Sequence, residues 1–85
     1  MAITTTYPKI RHVVPLADKV LRIEFANGQV RLYDCKPLLD TEPFVSLRDE
    51  SFFRMAHAET HGYGVVWNDT VDLAESEVWL NGKPV

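Results

Sequence analysis

Apolar and polar positions alternate most clearly between Lys19 and Asp34. Leu21, Ile23 and Phe25 are separated by Arg22 and Glu24, the two-residue period of a half-buried strand. Val30 and Leu32 resume the alternation beyond Asn27-Gly28, a dipeptide whose access to positive φ suits a tight hairpin turn. A two-residue turn flanked by Ala26 and Gln29 pairs Phe25 with Val30, Glu24 with Arg31, Ile23 with Leu32 and Arg22 with Tyr33. In that register the apolar pairs share the core face. Arg22, Arg31 and Tyr33 then project to solvent, with a Glu24/Arg31 ion pair beside an Arg22 contact to the Tyr33 ring.

The flanking segments carry weaker patterns. Lys9 to Leu16 reads as a strand through Ile10, Val13 and Val14, but Pro15 lacks a ladder donor and the three-residue step from Ile10 to Val13 breaks the alternation. This strand is expected at a sheet edge or with a bulge. Asp34 to Leu39 predicts a helical turn, with Asp34 capping free amides and Pro37 early in the turn. Ser46 to Met55 predicts a short helix capped by Ser46 or Asp49, burying Phe52, Phe53 and Met55. Ala56 to His61 and Gly64 to Trp67 predict a second hairpin, followed by a brief strand at Val71 to Leu73. Ala74 to Leu80 ends at Asn81-Gly82, which resembles a helix stop. Val78 and Trp79 form either a helical turn that lids the core or, as Val78-Trp79-Leu80, a last strand. The sum is an α+β domain: a small, mainly antiparallel sheet of about five to six short strands with one or two short helices packed on it.

Composition narrows the possible functions. The 85 residues allow a single domain over 1–85 with no linker, and 46% apolar with 25% charged residues fits a folded globular chain. The net charge of −3 has the wrong sign for a domain that neutralises phosphates, so direct nucleic-acid binding is not expected. The charge is uneven: residues 1–36 hold six basic and three acidic side chains, and residues 37–85 hold three basic and nine acidic ones. With a single cysteine, no signal-peptide pattern and no long apolar run, the chain is expected in the cytoplasm, away from the membrane.

Few residues offer chemistry. On a strand, His57, Glu59 and His61 would share one face and could hold zinc with an open position, although the zincin and zinc-deaminase motifs are absent. The competing reading is a polar, exposed strand face. Cys35 lies beside Lys36 but needs a nearby base to act as a nucleophile, and a small buried cysteine packed under the loop is the better reading. The carboxylates of Asp49, Glu50, Asp69 and Asp72 fall at predicted caps and turns. No catalytic residue is assigned and no cofactor is expected. Arg22, Arg31 and Tyr33 form the candidate partner-binding face; His57, Glu59 and His61 are the metal-binding alternative.

The ordered features Ile10, Val13, Pro15-Leu16, Leu21-x-Ile23-x-Phe25-x-Asn27-Gly28, Tyr33-Asp34, Pro37-Leu38-Leu39, Phe44, Leu47-x-Asp49, Phe52-Phe53, Trp67 and Asp72-Leu73 resemble a short bacterial family, domain of unknown function 2442. The resemblance covers roughly residues 8–80. The chain departs from it after Trp67, where Asn68-Asp69-Thr70-Val71 replaces the usual Pro-Asn-Gly-x. The resemblance implies a small α+β domain without an established activity. Some members are similar to the N-terminal part of helix-turn-helix proteins, and stand-alone members often accompany genes for small toxin-like or unknown proteins. The expected function is therefore a non-enzymatic interaction or regulatory module, antitoxin-like, with a protein partner. The alternatives are a metal- or small-ligand-binding domain with hydrolytic activity, and a structural homo-oligomer, for example a homodimer through the edge strand.

Overall fold

The computed structural model describes residues 6–85. Strands β1 (Ile10–Pro15), β2 (Val20–Phe25), β3 (Val30–Asp34) and β7 (Lys83–Pro84) form one antiparallel sheet in the order β1-β2-β3-β7. Strands β4 (His57–Ala58), β5 (Gly64–Val66) and β6 (Asp72–Ala74) form a second antiparallel sheet. With helices α1 (Glu50–Phe53) and α2 (Glu75–Asn81) and short 3-10 turns, the fold is α+β. β1 lies at a sheet edge and carries a bulge between Ile10 and His12, as its proline and broken alternation imply.

The central hairpin differs from expectation by one residue. The Phe25 amide donates to the Gln29 carbonyl at 2.8 Å, and the Gly28 amide donates to the Phe25 carbonyl at 2.9 Å. The loop is therefore three residues long, with Gly28 supplying the positive φ of 88° that closes it. Leu21 now opposes Tyr33, Arg22 opposes Leu32, Ile23 opposes Arg31 and Glu24 opposes Val30. A one-residue slip exchanges the faces of a strand. Tyr33 is buried with Leu21, Ile23 and Phe25, while Leu32 is exposed.

Asp34 Oδ1 accepts from the Lys36 amide at 2.9 Å and starts the 3-10 turn Lys36–Leu38. The predicted helix over Ser46–Met55 is split into a 3-10 turn at Phe44–Arg48 and α1, whose cap Asp49 accepts from the Ser51 amide at 2.9 Å. Leu47 and Phe53 are buried, but Met55 is 57% exposed because α1 ends before it. Trp67 joins this layer to the second sheet, its Nε1 donating to the Phe53 carbonyl at 3.0 Å. β5 and β6 approach so closely that a Cβ at Gly64 would lie 2.5 Å from the Leu73 carbonyl oxygen. The C-terminal segment is the helical lid: Val78 is fully buried, and the Trp79 ring meets Phe25 edge-on at 5.0 Å. The core thus runs from the inner face of the first sheet, beneath α2, to Trp67 and the second sheet.

Candidate functional site

The register separates the three residues expected on one solvent face. Arg22 is exposed on the outer face of the first sheet, whereas Arg31 and Tyr33 are on the inner face under α2. The reason is α2, which partners both side chains, although the buried Arg31 Nε keeps no hydrogen-bond partner. Tyr33 Oη donates to Glu77 Oε2 at 2.9 Å, and Asn81 Nδ2 donates to the same oxygen at 2.9 Å. Burial, reinforced by the hydrogen bond to Glu77, pushes the Tyr33 hydroxyl well above its ordinary pKa, so it keeps its proton. The Arg31 guanidinium stacks 3.6 Å from the Trp79 ring centroid and donates through Nη1 to the Trp79 carbonyl at 2.8 Å. Both residues fasten the lid to the sheet.

The outer face is different in kind. Register pairs place Val14, Arg22, Leu32 and Lys83 in one row across all four strands. Val14 and Leu32 are 43% and 37% exposed, and Arg22 and Lys83 are exposed beside them. At one end of this row a groove of about 490 Å³ opens where β7 stops and β3 continues. Val20, Leu32, Pro37 and Leu38 form its apolar walls, and Tyr33 with Glu77 forms a polar side. The volume suits a small molecule or one or two side chains of a bound segment. Sequence reasoning missed Leu32, Pro37, Leu38, Glu77, Asn81 and Lys83. Only the four-residue spacing of Glu77 and Asn81 was available as a signal that these two share a helix side.

Of His57, Glu59 and His61, the structure brings the last two together, His61 Nδ1 lying 3.2 Å from Glu59 Oε2, but no three-ligand set forms. β4 ends at Ala58, so the strand period stops before Glu59. His57 Nδ1 faces the Met55 carbonyl at 3.0 Å, while Glu59 closes the following turn by accepting from the His61 and Tyr63 amides at 2.8 and 3.1 Å. Those amides, Tyr63 first, hold the Glu59 carboxyl below the usual carboxylate range. Among the described residues no group of three or more His, Cys, Asp or Glu side chains is placed to hold a metal ion. Cys35 is fully buried, and burial, with Asp34 adding to it and Lys36 opposing, pushes its thiol up to about 12. That environment suppresses the thiolate a nucleophile requires. Asn68 organises the turn after Trp67, its Oδ1 accepting from the Thr70 and Val71 amides at 2.9 Å each.

Comparison with protein families gives a match to protein of unknown function DUF2442 over residues 10–84. The chain belongs to this family. The match includes both sheets, α2 and every residue lining the groove. No curated protein and no solved structure matches the chain. As a DUF2442 domain it has no helix, among the described residues, long and apolar enough to cross a membrane.

Proposed function

We propose that this DUF2442 domain is a non-enzymatic, cytoplasmic interaction module, the regulatory or antitoxin-like member of a bacterial protein pair. It engages its partner through the outer face of the four-stranded sheet and the adjoining groove. The observation that carries the reading is the groove itself: apolar walls at Val20, Leu32, Pro37 and Leu38 open onto a sheet face that keeps Val14 and Leu32 exposed. The state of the reactive groups supports a binding role over catalysis, since the Cys35 thiol is shielded, Tyr33 keeps its proton and Glu59 is committed to a turn.

The test compares tagged wild-type protein with Leu32→Trp, which fills the groove mouth from an exposed position, in affinity capture from the native host followed by mass spectrometry and sizing. A stoichiometric second protein, retained by wild type and lost with Leu32→Trp at unchanged melting temperature, is the expected result. Self-association alone would overturn the reading in favour of a structural homo-oligomer. Turnover of ester or phosphoester substrates by zinc-supplemented protein would overturn it in favour of the metal-dependent alternative.

A further inference from the structure

All nine lysine and arginine side chains lie within the described residues, and seven have an evident task. Lys9 faces Glu75, Arg11 faces Glu24, Lys19 and Arg54 share Glu50, Lys36 holds Asp34 and Arg48 holds Asp40. Arg31 is stacked on Trp79. The two remaining cations, Arg22 and Lys83, have no ion-pair partner among the described residues, and residues 1–5 contain no acidic side chain to supply one. In a chain of net charge −3, where acids outnumber bases, two neighbouring cations without a direct ion pair are unexpected.

They are also neighbours. Arg22 opposes Leu32, and Leu32 opposes Lys83, so the two charges flank one exposed leucine on adjoining strands. Strand spacing puts their backbones about 10 Å apart. Leu32 is at the same time a wall of the groove. The acidic residues on this face, Glu24 and Asp34, form their direct ion pairs with Arg11 and Lys36, and Lys83 reaches Asp34 only through a longer-range attraction.

We infer that this row binds an acidic segment of a partner protein, whose carboxylates meet Arg22 and Lys83 while a large apolar side chain between them enters the groove beside Leu32. The inference rests on the reading of this face as a docking surface and adds the chemistry of its occupant. A second copy of the chain fits less well. A twofold axis near Leu32 would bring Arg22 of each copy towards Lys83 of the other, and like charges would oppose across the interface.

The test uses fluorescein-labelled peptides in which Asp alternates with Gly around a central Leu, with two controls: Ser replacing the Leu, and Lys replacing every Asp. Anisotropy titrations at about 50 and about 300 mM salt, with amide NMR shifts, report affinity and site. The acidic Leu peptide is expected to bind tightest, to shift Arg22, Leu32, Leu38 and Lys83, and to weaken in salt. Joint substitution Arg22→Glu with Lys83→Glu is expected to weaken it by about tenfold or more while circular dichroism and melting stay unchanged. Equal or tighter binding of the Lys peptide, indifference to the double substitution, or no binding of any peptide overturns the inference. So does a dimer that the double variant disperses, which would assign the face to a second copy. A captured partner lost with Leu32→Trp yet kept by the charge-reversed protein overturns the acidic occupant alone and leaves the docking face standing.

Discussion

Cys35→Ala should flatten the alkaline limb of this domain's stability profile. The thiol is fully buried at the end of β3, and its pKa rises from an ordinary 9.0 to about 12 on folding. A folded pKa above the unfolded one means that the stabilising contribution is fully present below about pH 9 and is lost as pH climbs towards 12. In that window the unfolded chain releases a proton that the folded chain retains. From pH 8 to about pH 10.5 the thiol alone should lower stability by about 2 kcal/mol. At pH 8 the variant loses packing from the missing sulfur, at a cost of about 1 kcal/mol. The wild-type advantage should therefore vanish or reverse by pH 10.5. Urea unfolding of both proteins at several pH values measures the gap, and most groups that titrate in both cancel in the difference. A gap that stays constant across this range would refute the shielding argument, showing that water reaches the thiol or that unfolding begins elsewhere.

Phe25→Ala should cost about 3–5 kcal/mol in urea or thermal unfolding, because a fully buried ring and its edge-on contact with Trp79 are both lost. Asn68→Ala removes the acceptor for the Thr70 and Val71 amides and should cost about 1 kcal/mol, whereas Asp69→Ala, exposed in the same turn, should change the melting midpoint little.

The limits of the sequence reading have physical causes. β2 was legible because Leu21, Ile23 and Phe25 alternate strictly and all three are fully buried. β3 was not, since Asn27-Gly28 serves two-residue and three-residue hairpin loops alike, and its Val30/Leu32 alternation points to the wrong face. What decides that face is nonlocal: Trp79 covers Arg31 and Glu77 receives Tyr33, more than forty residues along the chain. The turn between β1 and β2 was also hidden, because Asp18 and Lys19 adopt left-handed φ of 62° and 61° without a glycine to signal it. The edge position of β1 is readable from Pro15, which acts locally, whereas Asn81-Gly82 marks only where a tail helix would stop and the sequence leaves Val78-Trp79-Leu80 open between helix and strand. Arg22 was correctly placed on an exposed face, but for a register that put the wrong companions beside it.

The return of β7 to the side of β3 also orders events during synthesis. The β2–β3 hairpin leaves the ribosome well before β7, and Leu32 meets Lys83 only after the intervening segments of the domain have followed. Until then Arg31 and Tyr33 lack Trp79 and Glu77, and one edge of β3 stands open. Pairing so distant in sequence is slow to close. The nascent domain must therefore wait for its last strand, and a stalled or shortened chain would present that open edge to chaperones and proteases as a mark of incompleteness.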